Sequence, residues 1–182
     1  MRQRTGDRSD VRQAVEYDLV ELVRLQASLF ELTSASASAD EDWLDALAVV
    51  LKEQLTADAV RILVVDDGDR DGGLAACGIG VIEQRLPGPH LRDGRIGHVT
   101  GVVTDPAHRR RGHGRSIMRG LLGWFREREV SRVDLYTSTD GEPLCRTLGF
   151  ADHPDVALTH ARSWDGQVLS ADRTARRAHT AR

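Results

Sequence analysis

Apolar positions along the chain change their period several times, and each change marks an element. Residues 11–15 (VRQAV) alternate as a short strand. Residues 16–32 then repeat at helical spacing, with Leu19, Leu22, Val23, Leu25, Gln26, Leu29 and Phe30 on one broad face. A small-residue stretch, 33–39 (TSASASA), leads to a second helix at 41–55, which Asp40 caps and which turns Trp43, Leu44, Leu47, Val50 and Leu51 inward. Strands are expected at 59–65, 74–84 and 95–104. The first two flank an Asp-Gly-rich turn, 66–73, and the last two a ten-residue loop, 85–94, that is long for a hairpin. Gly78 and Gly80 in one strand mark a bulge or a close approach, and Gly101 interrupts the next.

The longest continuous signal is 98–129. It opens as the strand end His98 to Thr104 and breaks at Asp105-Pro106, where proline removes a donor and biases its predecessor away from helix. A basic loop, Arg109-Arg110-Arg111-Gly112-His113-Gly114-Arg115, precedes a helix whose apolar stripe is Ile117, Met118, Leu121, Leu122 and Phe125. A strand at 130–137 follows, then a turn at Asp140-Gly141 and a short helix at 142–148, with Pro143 near its start and Gly149 closing it. Residues 150–153 and 157–161 complete the order as a final hairpin. Runs of strands with separated helices give an α+β class with a mixed, mostly antiparallel sheet.

Composition narrows this without redirecting it. A chain of 182 residues with 40% hydrophobic and 29% charged content suits one soluble globular domain with a sizeable core. The expected boundaries are a disordered start at 1–9, a domain at 10–162, and an arginine-containing tail at 163–182 that is poor in apolar residues. A net charge of −3 gives no bulk case for nucleic acid or membrane. The first ten residues lack an apolar signal segment, and no apolar run approaches the roughly 20 residues of a membrane span. Cys77 and Cys145 have no C-x-x-C spacing, so a reduced, cytoplasmic protein is expected. The aspartates of 66–73 lack the residue order and closing glutamate of a calcium loop, and no metal is expected.

Strand, glycine loop and helix together present backbone N–H groups to an anion. The first turn of a helix has unpaired donors and a partial positive charge, and arginine suits phosphate geometry. The loop is not a P-loop, because the GxxxxGK spacing and its lysine are missing. Nor is it the dinucleotide fingerprint, since only Gly112-x-Gly114 is present. Arg109 to Gly114 follows R/Q-x-x-G-x-G/A, with V-V-T-D-P before it, an amphipathic helix after it and R-T-L-G-F at 146–150. In these features the chain resembles the GNAT (GCN5-related N-acetyltransferase) superfamily.

The resemblance implies a single GNAT-like domain with a six- or seven-stranded sheet and about four helices. It implies acetyl-CoA as co-substrate and transfer of its acetyl group to a primary amine of a small molecule or protein, directly in a ternary complex. By the same resemblance, Val102, Val103 and Thr104 pair through their backbone with the pantetheine arm, a bulge near Gly101 opens the slot for it, and the oxyanion donor is the amide of Val102 or Val103. Arg109, Arg110, Arg111, Gly112, His113, Gly114 and Arg115 take the pyrophosphate.

Catalysis also needs a proton path, because an alkyl amine is only about one part in a thousand neutral at pH 7. His98 is the expected base, on the strand face it shares by alternation with Thr100 and Val102, and Glu83 is the alternative. Where many relatives place a tyrosine acid, five residues before the last phenylalanine, this chain has Cys145, a thiol of shorter reach; Tyr136, on the preceding strand, is a possible substitute that is expected rather to pack or line the site. The missing tyrosine leaves a second reading open, a CoA-binding sensor that has lost catalysis. A third, nucleic-acid binding through Arg109–Arg115 and the tail, predicts steep salt dependence. A homodimer is compatible with all three.

Overall fold

The computed structural model describes residues 11–33 and 42–153. By its contacts the chain divides into a unit of residues 1–150 and another of 151–182, and every element named below belongs to the first. The expected cap at Asp40, the linker at 34–39, the strand at 157–161 and both termini lie outside the described residues.

Strand β1 (Val11–Gln13) passes through a short 3-10 turn into helix α1 (Leu19–Thr33), and α2 (Asp42–Thr56) follows. Three strands come next, β2 (Val60–Asp66), β3 (Leu74–Gln84) and β4 (Arg95–Thr104). Helix α3 (His113–Glu127), strand β5 (Arg132–Leu135) and helix α4 (Glu142–Thr147) complete the order. The strands lie in sequence order as one five-stranded sheet, antiparallel except for the β4–β5 pair. Among the described residues that is five strands against the expected six or seven, one of which, 157–161, lies outside them. Residues 151–153 have no regular structure, so the first arm of the expected hairpin is not a strand. Among the described residues no helix is long and apolar enough to cross a membrane.

Both faces of the sheet are covered, and the alternation of each strand sorts its side chains between two cores. On β2, Leu63 and Val65 face Ile117, Leu121 and Phe125 of α3, whereas Ile62 and Val64 face Leu22, Leu25 and Leu51 of α1 and α2. On α3 the buried stripe is Ile117, Met118, Leu121, Trp124 and Phe125. Trp124 takes the place expected for Leu122, because it continues the i, i+3, i+4, i+7 row of Ile117. The helix packs close to the sheet only because the strands beneath it carry glycine. A Cβ at Gly78 would lie 2.4 Å from Ile117 Cγ2, and one at Gly97 would lie 2.8 Å from the Phe125 ring.

The β2–β3 turn is closed by Asp67 N–H to Gly73 C=O at 2.9 Å. It is tied to the segment after β4 by His108 Nε2, 3.1 Å from Asp67 Oδ1. The ten-residue loop is organised by its own hydrogen bonds, Arg85 N–H to Gly94 C=O at 2.7 Å and a Gly88–Leu91 bridge.

Candidate active site

The site grows out of a break in β4. Opposite β3, Cys77 pairs with Val103 and Ile79 with Thr100, so Gly78 alone faces both Gly101 and Val102. This is a β-bulge, and its extra residue, Gly101, has φ +58°, which glycine adopts without strain. On the other edge, β4 and β5 pair from Ile96–Arg132 to Val99–Leu135 and no further. The two strands then part, and a cleft of about 770 Å3 opens between them, lined by Thr100, Gly101, Val102 and Thr104 of β4. Gly114 and Met118 of α3 and Leu29 of α1 complete its walls, with Leu144 and Cys145 of α4.

The bulge also overturns one expectation. Alternation puts His98, Thr100 and Val102 on one face, but the extra residue reverses the phase. Val99 and Val102 both pack on the α3 side, while Val103 turns its side chain into the α1–α2 core. His98 and Thr100 therefore share a face with Val103, not with Val102.

At one end of the cleft the chain turns toward α3. Asp105 Oδ1 accepts from Ala107 N–H at 2.9 Å and its Oδ2 takes Arg24 Nη1 at 2.7 Å. Burial works to raise this carboxyl, but the Ala107 amide and the Arg24 guanidinium outweigh it and hold it below the usual range. Arg109, Arg110 and Arg111 are exposed. Arg110 has φ +65° and Gly112 has φ +88°, the left-handed alternation that turns successive amides toward an anion. Gly112 caps α3 without any side-chain hydrogen bond, and the first turn holds no acidic residue. Ser116 N–H reaches Gly112 C=O at 3.0 Å, so the intrahelical ladder begins there and the amides of Gly114 and Arg115 lie in the first turn, ahead of it.

The other end carries the titratable groups. His98, about one-quarter exposed, has Nε2 3.2 Å from Glu83 Oε2 and 3.3 Å from Arg85 Nη2. The hydrogen bond from Arg85 holds the Glu83 carboxyl below its ordinary range, aided by His98. On β5, Asp134 stands beside His98 in register and takes Arg132 Nε at 2.9 Å. Cys145 is buried, with Sγ 3.9 Å from Thr137 Oγ1, and shares the cleft lining with His98. Tyr136 lines the cleft at its rim, 86% exposed, rather than packing. Cys77 lies on the α1–α2 side, where burial pushes its thiol up to about 12.

Of the residues expected from sequence, His98, Val102, Thr104, Gly114 and Cys145 meet in this one cleft. Val103 has its side chain elsewhere, and His113 is buried. Gln26 was read from sequence as part of an apolar face and is instead a buried polar contact to the bulge, donating from Nε2 to Gly101 C=O at 2.6 Å and to Cys77 Sγ at 3.3 Å. The signal was there, as a lone amide between Leu22 and Leu29 on the inward stripe of α1.

A family model for the acetyltransferase (GNAT) family matches residues 21–150, which hold the whole of this cleft. The chain belongs to that family. GNAT structures already solved share its fold. A predicted acetyltransferase from Clostridium acetobutylicum, with acetyl-CoA, superposes with a TM-score of 0.72 over 82% of this chain and 94% of its own, at 19% identity. A GCN5-related N-acetyltransferase from Ralstonia eutropha JMP134 gives 0.71 over 82% and 97%, at 22% identity. Glucosamine-6-phosphate N-acetyltransferase from Arabidopsis thaliana gives 0.63 over 86% and 98%, at 20% identity. No curated protein matches the chain significantly. At these identities the likeness is one of fold.

Proposed function

We propose that the protein is an acetyl-CoA-dependent N-acetyltransferase that acts on a primary amine by direct transfer in a ternary complex. The observation that carries this reading is the convergence on one cleft of the β4 edge beyond Val99, where pairing with β5 ends among the described residues, and the start of α3, whose cap Gly112 makes no side-chain hydrogen bond. An extended arm with amides suits the first, since a strand edge offers alternating donors and acceptors. A pyrophosphate suits the second, flanked by Arg109, Arg110, Arg111 and Arg115.

In this reading the amine nitrogen attacks the thioester carbonyl carbon, a C–N bond forms, and the carbonyl π pair moves onto oxygen. A β4 amide at Val102 or Val103 holds that oxyanion. Collapse re-forms the carbonyl and breaks the C–S bond, and the thiolate leaves with the electron pair. His98 takes the proton the amine must lose, with Glu83 beside its ring to hold the resulting cation. Cys145, within the same cleft, returns a proton to the CoA thiolate.

The test is a thermal-unfolding shift with acetyl-CoA, free CoA and ATP, followed by thiol release with a panel of primary amines. Ligand at about a hundred times Kd adds about 2.7 kcal/mol, on the order of 5–10 °C for a domain of this size. A shift with both CoA forms but not ATP supports the donor site, and no shift with acetyl-CoA refutes it. Binding without thiol release for any amine moves the protein to the sensor reading.

A further inference from the structure

Peptide units inside a bulge are free of the ladder that orients their neighbours, so something else must fix their direction. In β4 the peptide in question joins Gly101 to Val102, and its carbonyl receives Gln26 Nε2 at 2.6 Å. Gln26 comes from α1 and is 4% exposed. The second contact of its amide nitrogen, Cys77 Sγ at 3.3 Å, holds the side chain from the neighbouring strand. Space is equally restrictive: a Cβ at Gly101 would lie 2.6 Å from Gln26 Oε1 and 2.7 Å from Nε2.

A trans peptide is planar, and its N–H and C=O point in opposite directions. All the described peptide bonds are trans. Holding the Gly101 carbonyl toward α1 therefore directs the Val102 N–H away from α1, on a residue that lines the cleft. We propose that Gln26 is a positioning residue that, by gripping the Gly101 carbonyl, aims the Val102 amide at the thioester oxygen and makes Val102, not Val103, the oxyanion donor. This rests on the acetyl-CoA reading above. The role is indirect: Gln26 touches neither substrate nor reacting atoms. It also gives β4 a dependence on α1 that the sheet alone does not impose, since without that donor the carbonyl of a φ-positive bulge has no such partner to set its plane.

Isotope labelling reads this peptide directly. With 13C carbonyl in glycine and 15N in valine, an HNCO spectrum contains two peptides, Gly80–Val81 and Gly101–Val102. Gln26→Met keeps the volume and removes the donor. It is expected to move the Gly101–Val102 signal and leave Gly80–Val81 in place. Acetyl-CoA is expected to shift Val102 strongly in wild type and weakly in the variant. Isotope-edited infrared spectra of bound 1-13C-acetyl-CoA should show the carbonyl stretch lowered in wild type and returned toward its free value in Gln26→Met.

Cys77→Ala removes the other contact of Gln26 while retaining the carbonyl bond. It should keep both signatures, which separates aim from general packing and serves if Gln26→Met fails to fold. An unchanged Gly101–Val102 signal in Gln26→Met, or an unchanged carbonyl stretch, overturns the proposal while leaving acetyl-CoA binding intact. Loss of both signatures in Cys77→Ala also overturns it, because packing and not the carbonyl bond would then set the peptide. Absence of any acetyl-CoA response in wild type overturns the donor reading itself.

Discussion

Gly78→Ala tests the contact that sets the distance between α3 and the sheet. The added methyl would lie 2.4 Å from Ile117 Cγ2, 3.2 Å from Val102 Cγ2 and 3.5 Å from Leu121 Cδ1. Carbon atoms in contact settle near 3.5–4.0 Å, so the first approach is more than about 1 Å too close. Ile117 cannot swing aside, because a β-branched side chain in a helix has essentially one χ1 well. Overpacking of this kind costs about 1–3 kcal/mol, or a fall in melting temperature of about 2–12 °C at this chain length. Because Ile117 lies one turn beyond the start of α3, backing α3 off the sheet also moves the proposed pyrophosphate site. The assay is calorimetric unfolding with titration of acetyl-CoA, in a double-mutant cycle with Ile117→Ala. Removing Cγ2 deletes the obstacle, so Gly78→Ala should cost at least about 1 kcal/mol less in that background. Additive costs, or a Gly78→Ala protein as stable as wild type, would refute the close-packing account.

Gly112→Ala meets no atom within 4 Å, so its effect is conformational: a Cβ at φ +88° costs about 1–2 kcal/mol, or about 2–8 °C. Acetyl-CoA affinity should fall with it, as isothermal titration would show. Asp18 is 2% exposed and accepts from Arg12 at 2.7 and 2.8 Å and from Val15 N–H at 2.8 Å. Burial works to raise its carboxyl, yet the Arg12 and Val15 bonds hold it below the usual range. A depressed carboxyl contributes stability that is full above the unfolded value, about 3.9, and is lost as pH falls through the folded one. Asp18→Asn should therefore flatten the acid limb of a melting-temperature profile, and an unchanged limb counts against the pair. Native protein treated with iodoacetamide at pH 8 should react at Cys145 and not at Cys77, whose thiol burial pushes up to about 12. Acetyl-CoA at about a hundred times Kd should slow the Cys145 reaction about a hundredfold if the cleft is its site. Mass spectrometry of the peptides decides both.

Much of the site was readable before any coordinates. The strands β3 and β4 were legible between their turn segments, β4 through its β-branched Val99, Val102 and Val103, and a helix was legible after the glycine and arginine loop, although it begins at His113, inside that loop. Gly78 announced a close approach and the family resemblance a bulge near Gly101, and both are present. The readings that failed share a cause. Placing Val102 on the face of His98 assumed unbroken alternation, which one extra residue reverses. Leu122 stands on the expected stripe of α3 and Trp124 is buried in its stead, because local spacing tolerates either and only the position of the sheet decides between them. Gln26 passed as part of an apolar face, since nothing within α1 reveals a carbonyl 75 residues away. The 150–153 arm looked like a strand from its own residues but has no regular structure.

The sequence by itself determined what depends on neighbours along the chain: element type from hydrophobic period, a helix following the glycine loop, and the clustering of arginine before it. Backbone sterics and helix-end electrostatics act over a few residues, so a linear reading captures them. Tertiary structure alone decided which groups from distant segments meet. It set Glu83 and Arg85 against His98, brought Cys145 into the cleft with Val102, and gave the bulge carbonyl its donor from α1. Those contacts depend on strand register and on how far α3 sits from the sheet, quantities fixed by the packing of whole faces.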